Sequence, residues 1–156
     1  MGSDEAKITY VEDVEVVFRS VPDEPTMFKV ETGGRPRFSS SAFNDRDRRP
    51  SVDRASLTDG QPASSCQSPQ SGVVSIIVAR ARAIQTVKTL DSKQCLVFTH
   101  DVDVVHVPLS ENYAHAEIQT SPALVNDSVF KRLKEALCRL ADVQGWEYPP
   151  ASQRVM

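Results

Sequence analysis

The sequence predicts an α+β fold: a single domain with a mostly antiparallel sheet and a C-terminal amphipathic helix packed on it. Three observations carry this reading. Short runs rich in β-branched residues, each bounded by glycine, proline or serine, recur through the first three quarters of the chain. The closing stretch NDSVFKRLKEALCRLADVQGW repeats its apolar residues at helical spacing. At 156 residues the chain suits one core, able to bury roughly two thirds of the surface its unfolded form exposes. Strands followed by a helix, rather than strands alternating with helices, give α+β with an antiparallel sheet.

The elements follow in order. Residues 1–10 read as a flexible N-terminus, 11–150 as the domain and 151–156 as a flexible C-terminus. VEDVEVVFRSVP, residues 11–22, stops at a proline and reads as a strand, with Val14, Val16, Phe18 and Ser20 on one face and Glu15, Val17, Arg19 and Val21 on the other. TMFKVET followed by two glycines reads as a second strand and a turn, giving a first hairpin in this region. Phe38 and Phe43 then bracket a serine-rich piece suited to a short strand or a tight loop. Residues 58–72, TDGQPASSCQSPQSG, consist almost wholly of turn and linker types and read as an exposed loop. VVSIIVARARAIQTV reads as a strand and then a short helical segment. CLVFTHDVDVVHVPL gives one or two strands bending near His100 and Asp101, and AHAEIQ a shorter strand ending before Pro122. In the terminal helix Asn126, Asp127 or Ser128 serves as N-cap, and Val129, Phe130, Leu133, Leu137, Leu140 and Ala141 form the stripe. Gly145 closes it, with Trp146 and Tyr148 packing back beside it.

The totals exclude several classes. With 40% hydrophobic residues, 25% charged residues and a net charge of −3, wholesale disorder and a general affinity for nucleic acid are not expected. The longest apolar run, GVVSIIVARA, is far short of the roughly 20 residues a membrane helix requires. The acidic MGSDEAKITY lacks the apolar core of a secretory signal, so a cytoplasmic location is expected. Cys66, Cys95 and Cys138 are odd in number and widely spaced, so no disulfide framework is expected; Cys95 and Cys138 read as small reduced core residues.

Candidates for chemistry concentrate in two places. In NYAHAEIQ, a strand over 113–118 would put Tyr113, His115 and Glu117 on one face, where a carboxylate can hold the imidazole in one tautomer for acid or base work; the alternative is a solvated edge-strand face. His100, His106 and His115 lie among carboxylates, yet no compact ligand spacing occurs, and neither a metal nor another cofactor is expected. The second place is RPRFSSSAFNDRDRRPSVDR. Here Ser39, Ser40, Ser41, Arg46, Arg48, Arg49 and Arg54 form a candidate ligand-binding set, the arginines offering forks to phosphate or carboxylate; the alternative is a loop laced by internal Arg–Asp pairs. Arg19, in mid-strand, is either a ligand-binding group, the buried partner of Glu117 or an aspartate, or an outward strand residue.

FSSSAF, RPSVDRASL, GVVSIIVARARAI and ENYAHAEIQ, followed by a terminal helix, resemble a group of uncharacterised small bacterial proteins over roughly residues 17–148, with Tyr113 where that group would carry proline. The resemblance implies a bacterial origin and one compact domain. Arg19, Ser39 to Ser41 and Glu117 stand in an order similar to that of ADP-ribosyltransferases, which implies that these residues converge on NAD; His115, from the reading of its own strand, joins Arg19 and Glu117 as the candidate catalytic residues.

No P-loop, dinucleotide fingerprint, nucleophile elbow or metal signature is present. The first expectation is therefore a binding or accessory module with a protein partner, in a conflict or mobile-element setting. The alternative is a small NAD- or nucleotide-processing enzyme, and the third is nucleic-acid phosphate binding through the arginine-rich segment.

Overall fold

The computed structural model describes residues 9–154 and has the α+β architecture: one large antiparallel sheet with a C-terminal helix packed against it. Strand β1 (Val16–Val21) lies inside the six-stranded sheet, paired on one side with β5 (Gly72–Ile77) and on the other with β4 (Ser51–Arg54). Beyond β4 come β9 (His115–Ser121) and β8 (Asp101–His106), while β10 (Trp146–Tyr148) pairs with β5 at the opposite edge. Two small hairpins stand outside this sheet, β2 (Phe28–Val30) with β3 (Pro36–Phe38), and β6 (Lys88–Leu90) with β7 (Leu96–Thr99). The first hairpin is thus β2–β3, and the strand before it joins the main sheet.

Register decides which side chains share a side, because residues directly opposite one another in an antiparallel ladder project together. One side carries Val17, Val74, Ile76, Val104 and Ile118, all essentially inaccessible to water. Helix α1 (Val78–Arg82) lies along β8, and helix α2 (Asp127–Gln144) packs against β3 and β5 and the 3-10 turn Ser40–Phe43. From α2, Val129, Phe130, Leu133, Leu137, Cys138 and Ala141 are buried in the same core, each large side chain worth about 1.5–3 kcal/mol of transfer free energy.

Both ends of α2 have identifiable causes. The Asn126 carboxamide oxygen accepts from the Val129 N–H at 2.9 Å, satisfying a first-turn donor. Gly145 ends the helix at φ +71°, a conformation that costs a side-chain-bearing residue dearly. Trp146 then lies edge-on to both Phe28 and Phe38, at 5.0 and 4.9 Å between centroids, which fastens the β2–β3 hairpin to the sheet edge.

Several expectations are corrected. Segment 58–72 is largely exposed, as expected, but it is not all loop: it contains a 3-10 turn (Pro62–Ser65), and Ser65 and Ser71 are buried, their hydroxyls bonded to Asp53 and Ser68. Cys95 is exposed, since it stands in the tight turn before β7 where Asp91 accepts its N–H. Tyr113 precedes β9, because a turn occupies 110–114, and its ring meets that of His106 edge-on, with 5.0 Å between centroids. The expected flexible N-terminus lies outside the described residues except for Thr9 and Tyr10. At the other end Ser152 bonds Asp23, and Arg154 bonds the carbonyls of Pro149 and Ser71, so residues 151–154 are tied to the domain. Among the described residues no helix is long and apolar enough to cross a membrane.

Candidate functional site

On the side of the sheet opposite the helices, β1, β4 and β9 align Phe18, Asp53 and His115 in one row. The neighbouring row brings Ser51 opposite Glu117. Two connections rise over this side. From one, the Ser65 hydroxyl donates to Asp53 Oδ2 at 2.7 Å and the Gln67 N–H donates to Ser20 Oγ at 2.9 Å. From the other, the Asn112 amide donates to Asp53 Oδ1 at 2.8 Å. The walls so anchored enclose an open cleft of about 540 Å³.

The cleft's chemistry is set by few groups. His115 is buried, with 8% of its surface exposed, and its Nδ1 donates to the Val107 carbonyl at 2.7 Å. That bond places a proton on Nδ1 and leaves Nε2 as the ring nitrogen available beside the cleft. Asp53 faces it across the ladder. Glu111 borders the cleft from the 110–114 turn, where bonds from its own backbone N–H and from the Ser110 hydroxyl hold its carboxyl below the usual range and therefore ionised. The lining thus contains three carboxylates, Asp45, Asp53 and Glu111, against the single guanidinium of Arg19.

Arg19 borders the same cleft but is committed elsewhere. Beyond Phe18 and Asp53 the strands β1 and β4 part, and alternation sends Arg19 away from Phe18 into this fork. Its Nε donates to the Ala42 carbonyl at 3.1 Å, Nη1 to Asp45 at 3.1 Å and the Ser51 carbonyl at 2.9 Å, and Nη2 to the Asn44 carbonyl at 2.9 Å. Four of its five N–H groups are used, and the guanidinium also lies over the Phe43 ring. Arg19 is therefore the half-buried partner of an aspartate and the clamp that holds residues 42–51 to the sheet.

The remaining sequence candidates are placed apart. Glu117 does not border the cleft; it accepts from Gln119 and lies 3.7 Å from Arg49. Ser39 precedes the 3-10 turn under α2 and donates to the Thr26 carbonyl, Ser40 and Ser41 begin that turn, and none of the three borders the cleft. Arg48 reaches Asp127, Arg49 reaches Asp47, and Arg46 is exposed. Arg54 is buried and makes a two-pronged pair with Glu15 at 2.9 Å. Arg48, Arg49 and Arg54 thus meet carboxylates, but only the Arg49–Asp47 pair is internal to the arginine-rich stretch. Among the described residues no three His, Cys, Asp or Glu side chains are grouped to hold a metal.

Asp53, Glu111, Asn112 and Ser65 were missed as site residues. A signal existed for Asp53: Ser51–Val52–Asp53–Arg54 follows Pro50 and alternates like a strand, although it sits inside a stretch whose charge suggests a loop. Comparison of the chain with protein-family models, curated proteins and solved structures found no match.

Proposed function

We propose that this protein is a binding module whose polar cleft recognises a cationic, hydrogen-bond-donating group, such as an ammonium or guanidinium presented by a protein partner. The observation that carries the reading is the lining itself, where three carboxylates stand against one arginine and where His115, opposite Asp53 in the ladder, has its Nδ1 anchored on Val107. Acceptors held in place by backbone and side-chain bonds are pre-organised, so a donor group binds without first ordering the site.

The cleft offers little to a phosphate. A nucleotide or NAD needs free donor forks, and the one arginine here has four of five N–H groups engaged. Ser39 to Ser41 and Glu117, which the likeness to ADP-ribosyltransferases would bring to NAD, lie outside the cleft. The three cysteines are free thiols, which supports a reducing compartment and so the cytoplasm.

The test is a thermal-shift and titration series with spermidine and N-acetyl-lysinamide as cationic probes, and NAD and ADP as anionic ones. The cationic probes are expected to raise the melting temperature of the wild type, and less so that of Asp53→Asn and Glu111→Gln. Stabilisation by NAD or ADP without any by the cations would overturn the reading in favour of nucleotide processing.

A further inference from the structure

On the opposite side of the molecule, a groove of about 770 Å³ runs between the chain leaving α1 and the outer face of α2. Half-buried Ile84, Ala136 and Leu140 give it an apolar lining. Exposed Arg37, Arg132 and Arg139 surround this lining, with Glu135 the one acidic residue among them. Positions 132, 136, 139 and 140 fall on adjoining faces of one helix, so α2 presents a second stripe beside the one it buries in the core.

The cations here are under-compensated. Arg37 has no hydrogen-bond or ion-pair partner among the described residues, and directly opposite it in the β2–β3 ladder stands another cation, Lys29. Like charges facing each other across a ladder are destabilising. Arg132 spends one N–H on the Lys88 carbonyl and pairs with no carboxylate among the described residues. Arg139 has Asp142 at 3.0 Å, and Glu135 is shared with Lys131 at 4.0 Å. A concentration of unneutralised arginine on a protein of net charge −3 is a local feature, contrary in sign to the whole.

We infer that this groove docks an acidic amphipathic segment of a partner protein, with an apolar side chain laid on Ile84, Ala136 and Leu140 and flanking carboxylates on Arg37 and Arg132. The arginine forks match carboxylates two-pronged, and the apolar lining supplies burial that a purely ionic contact lacks. Nucleic acid fits less well, because none of the residues bordering the groove is aromatic and bases would find no stacking surface. This surface is separate from the cleft, so the protein would join a cation-bearing partner on one side to an acidic one on the other.

The experiment uses the full chain and fluorescence anisotropy. The probes are a short labelled peptide with leucines at helical spacing flanked by glutamates, the same peptide with serine for leucine, and a labelled single-stranded oligonucleotide. The leucine peptide is expected to bind, the serine version to bind about tenfold more weakly, and the double variant Arg37→Glu, Arg132→Glu to lose binding while melting like wild type. Glu135→Gln is expected to tighten it. No binding of the leucine peptide, equal binding of the serine version, or preference for the oligonucleotide would each overturn the inference. If the double variant melts lower, Ala136→Glu supplies the loss-of-binding test at an independent position.

Discussion

Asp53 stands directly across the β4–β9 ladder from His115, yet each side chain is anchored away from the other, Asp53 on Ser65 and Asn112 and His115 on the Val107 carbonyl. Asp53 thereby holds both walls of the cleft to its floor. Hydrogen bonds to a charged group contribute about 1.5–3 kcal/mol, so Asp53→Ala is expected to lower stability by about 2 kcal/mol or more. It should also open residues 58–71 to protease, because Ser65 loses its partner. Asp53→Asn, which keeps an acceptor, should lose less. Urea unfolding and limited proteolysis measure both effects; an unchanged midpoint and cleavage pattern in the alanine variant would refute the tie.

His115→Ala tests the same floor from the other strand. The Val107 carbonyl loses its donor and a buried ring is replaced by a void, so a loss of about 2–3 kcal/mol is expected, where a solvated strand face would give almost none. A variant as stable as wild type in chemical denaturation would return His115 to the surface.

Arg19 gives a sharper contrast. Arg19→Met removes the donor to the carbonyls of Ala42, Asn44 and Ser51 and to half-buried Asp45, and a loss of about 2 kcal/mol is expected. Arg19→Lys should not restore it, since one ammonium cannot span four acceptors set for a planar fork. Equal stability of the lysine variant and wild type, measured by urea titration, would show that the fork geometry is immaterial.

The fold was legible where local pattern and tertiary role agree. The α2 stripe, a cap among Asn126, Asp127 and Ser128 and the Gly145 stop follow from spacing and residue type, and the alternation of β1 puts Arg19 and Phe18 on opposite sides. The cleft was only half legible. His115 and Arg19 drew attention as lone polar groups in apolar strands, but their partners come from β4, from 58–71 and from the 110–114 turn. Ladder register and wall contacts of this kind are set by long-range pairing, which one strand's sequence does not encode. Residues 58–72 are mostly exposed, as their composition suggests, but composition reports an average and does not show that Ser65 and Ser71 are buried with particular hydrogen bonds.

Thiol reactivity should rank the cysteines. Cys95 is exposed, Cys66 is half-buried with burial pushing its thiol up against a weaker pull from Arg154, and Cys138 is buried, pushed up to about 11 and donating to the Ser39 carbonyl at 3.1 Å. Because the thiolate is the reacting species, maleimide labelling at neutral pH followed by peptide mass spectrometry should find Cys95 first, Cys66 later and Cys138 only after unfolding. Cys138 labelling at the Cys95 rate would contradict the packing of α2.

Gly72 is required by close approach. A Cβ there would lie 2.6 Å from the Trp146 ring and 2.9 Å from Pro150, so Gly72→Ala must displace the segment that closes the sheet edge. Overpacking of this kind costs about 1–3 kcal/mol. Trp146 is the chain's one tryptophan, so its emission reports the displacement directly. An alanine variant with unshifted emission and unchanged melting would place the edge strand elsewhere.

His106 gives stability a pH dependence whose sign is fixed by its surroundings. Burial pushes its pKa below 6.5, the nearby Arg54 guanidinium pushes it further down, and Glu15 pulls the other way. Both ring nitrogens are buried and find no partner among the described residues, and the ring rests on Tyr113. The unfolded chain therefore takes up a proton as pH falls below about 6.5 while the folded chain resists, so stability is full above that value and declines as pH falls toward the lower folded pKa. Glu15 acts in a separate window. Burial raises its pKa, but the Arg54 pair and the Glu12 N–H outweigh burial and leave it below 4.5, so its contribution is held above that value and lost as pH falls further. His106→Phe, which keeps a ring against Tyr113, should flatten the melting temperature just below pH 6.5 and leave the steeper acid loss intact, while Glu15→Gln should do the reverse. A phenylalanine variant that follows the wild-type curve through that upper window would mean that His106 is protonated as readily folded as unfolded.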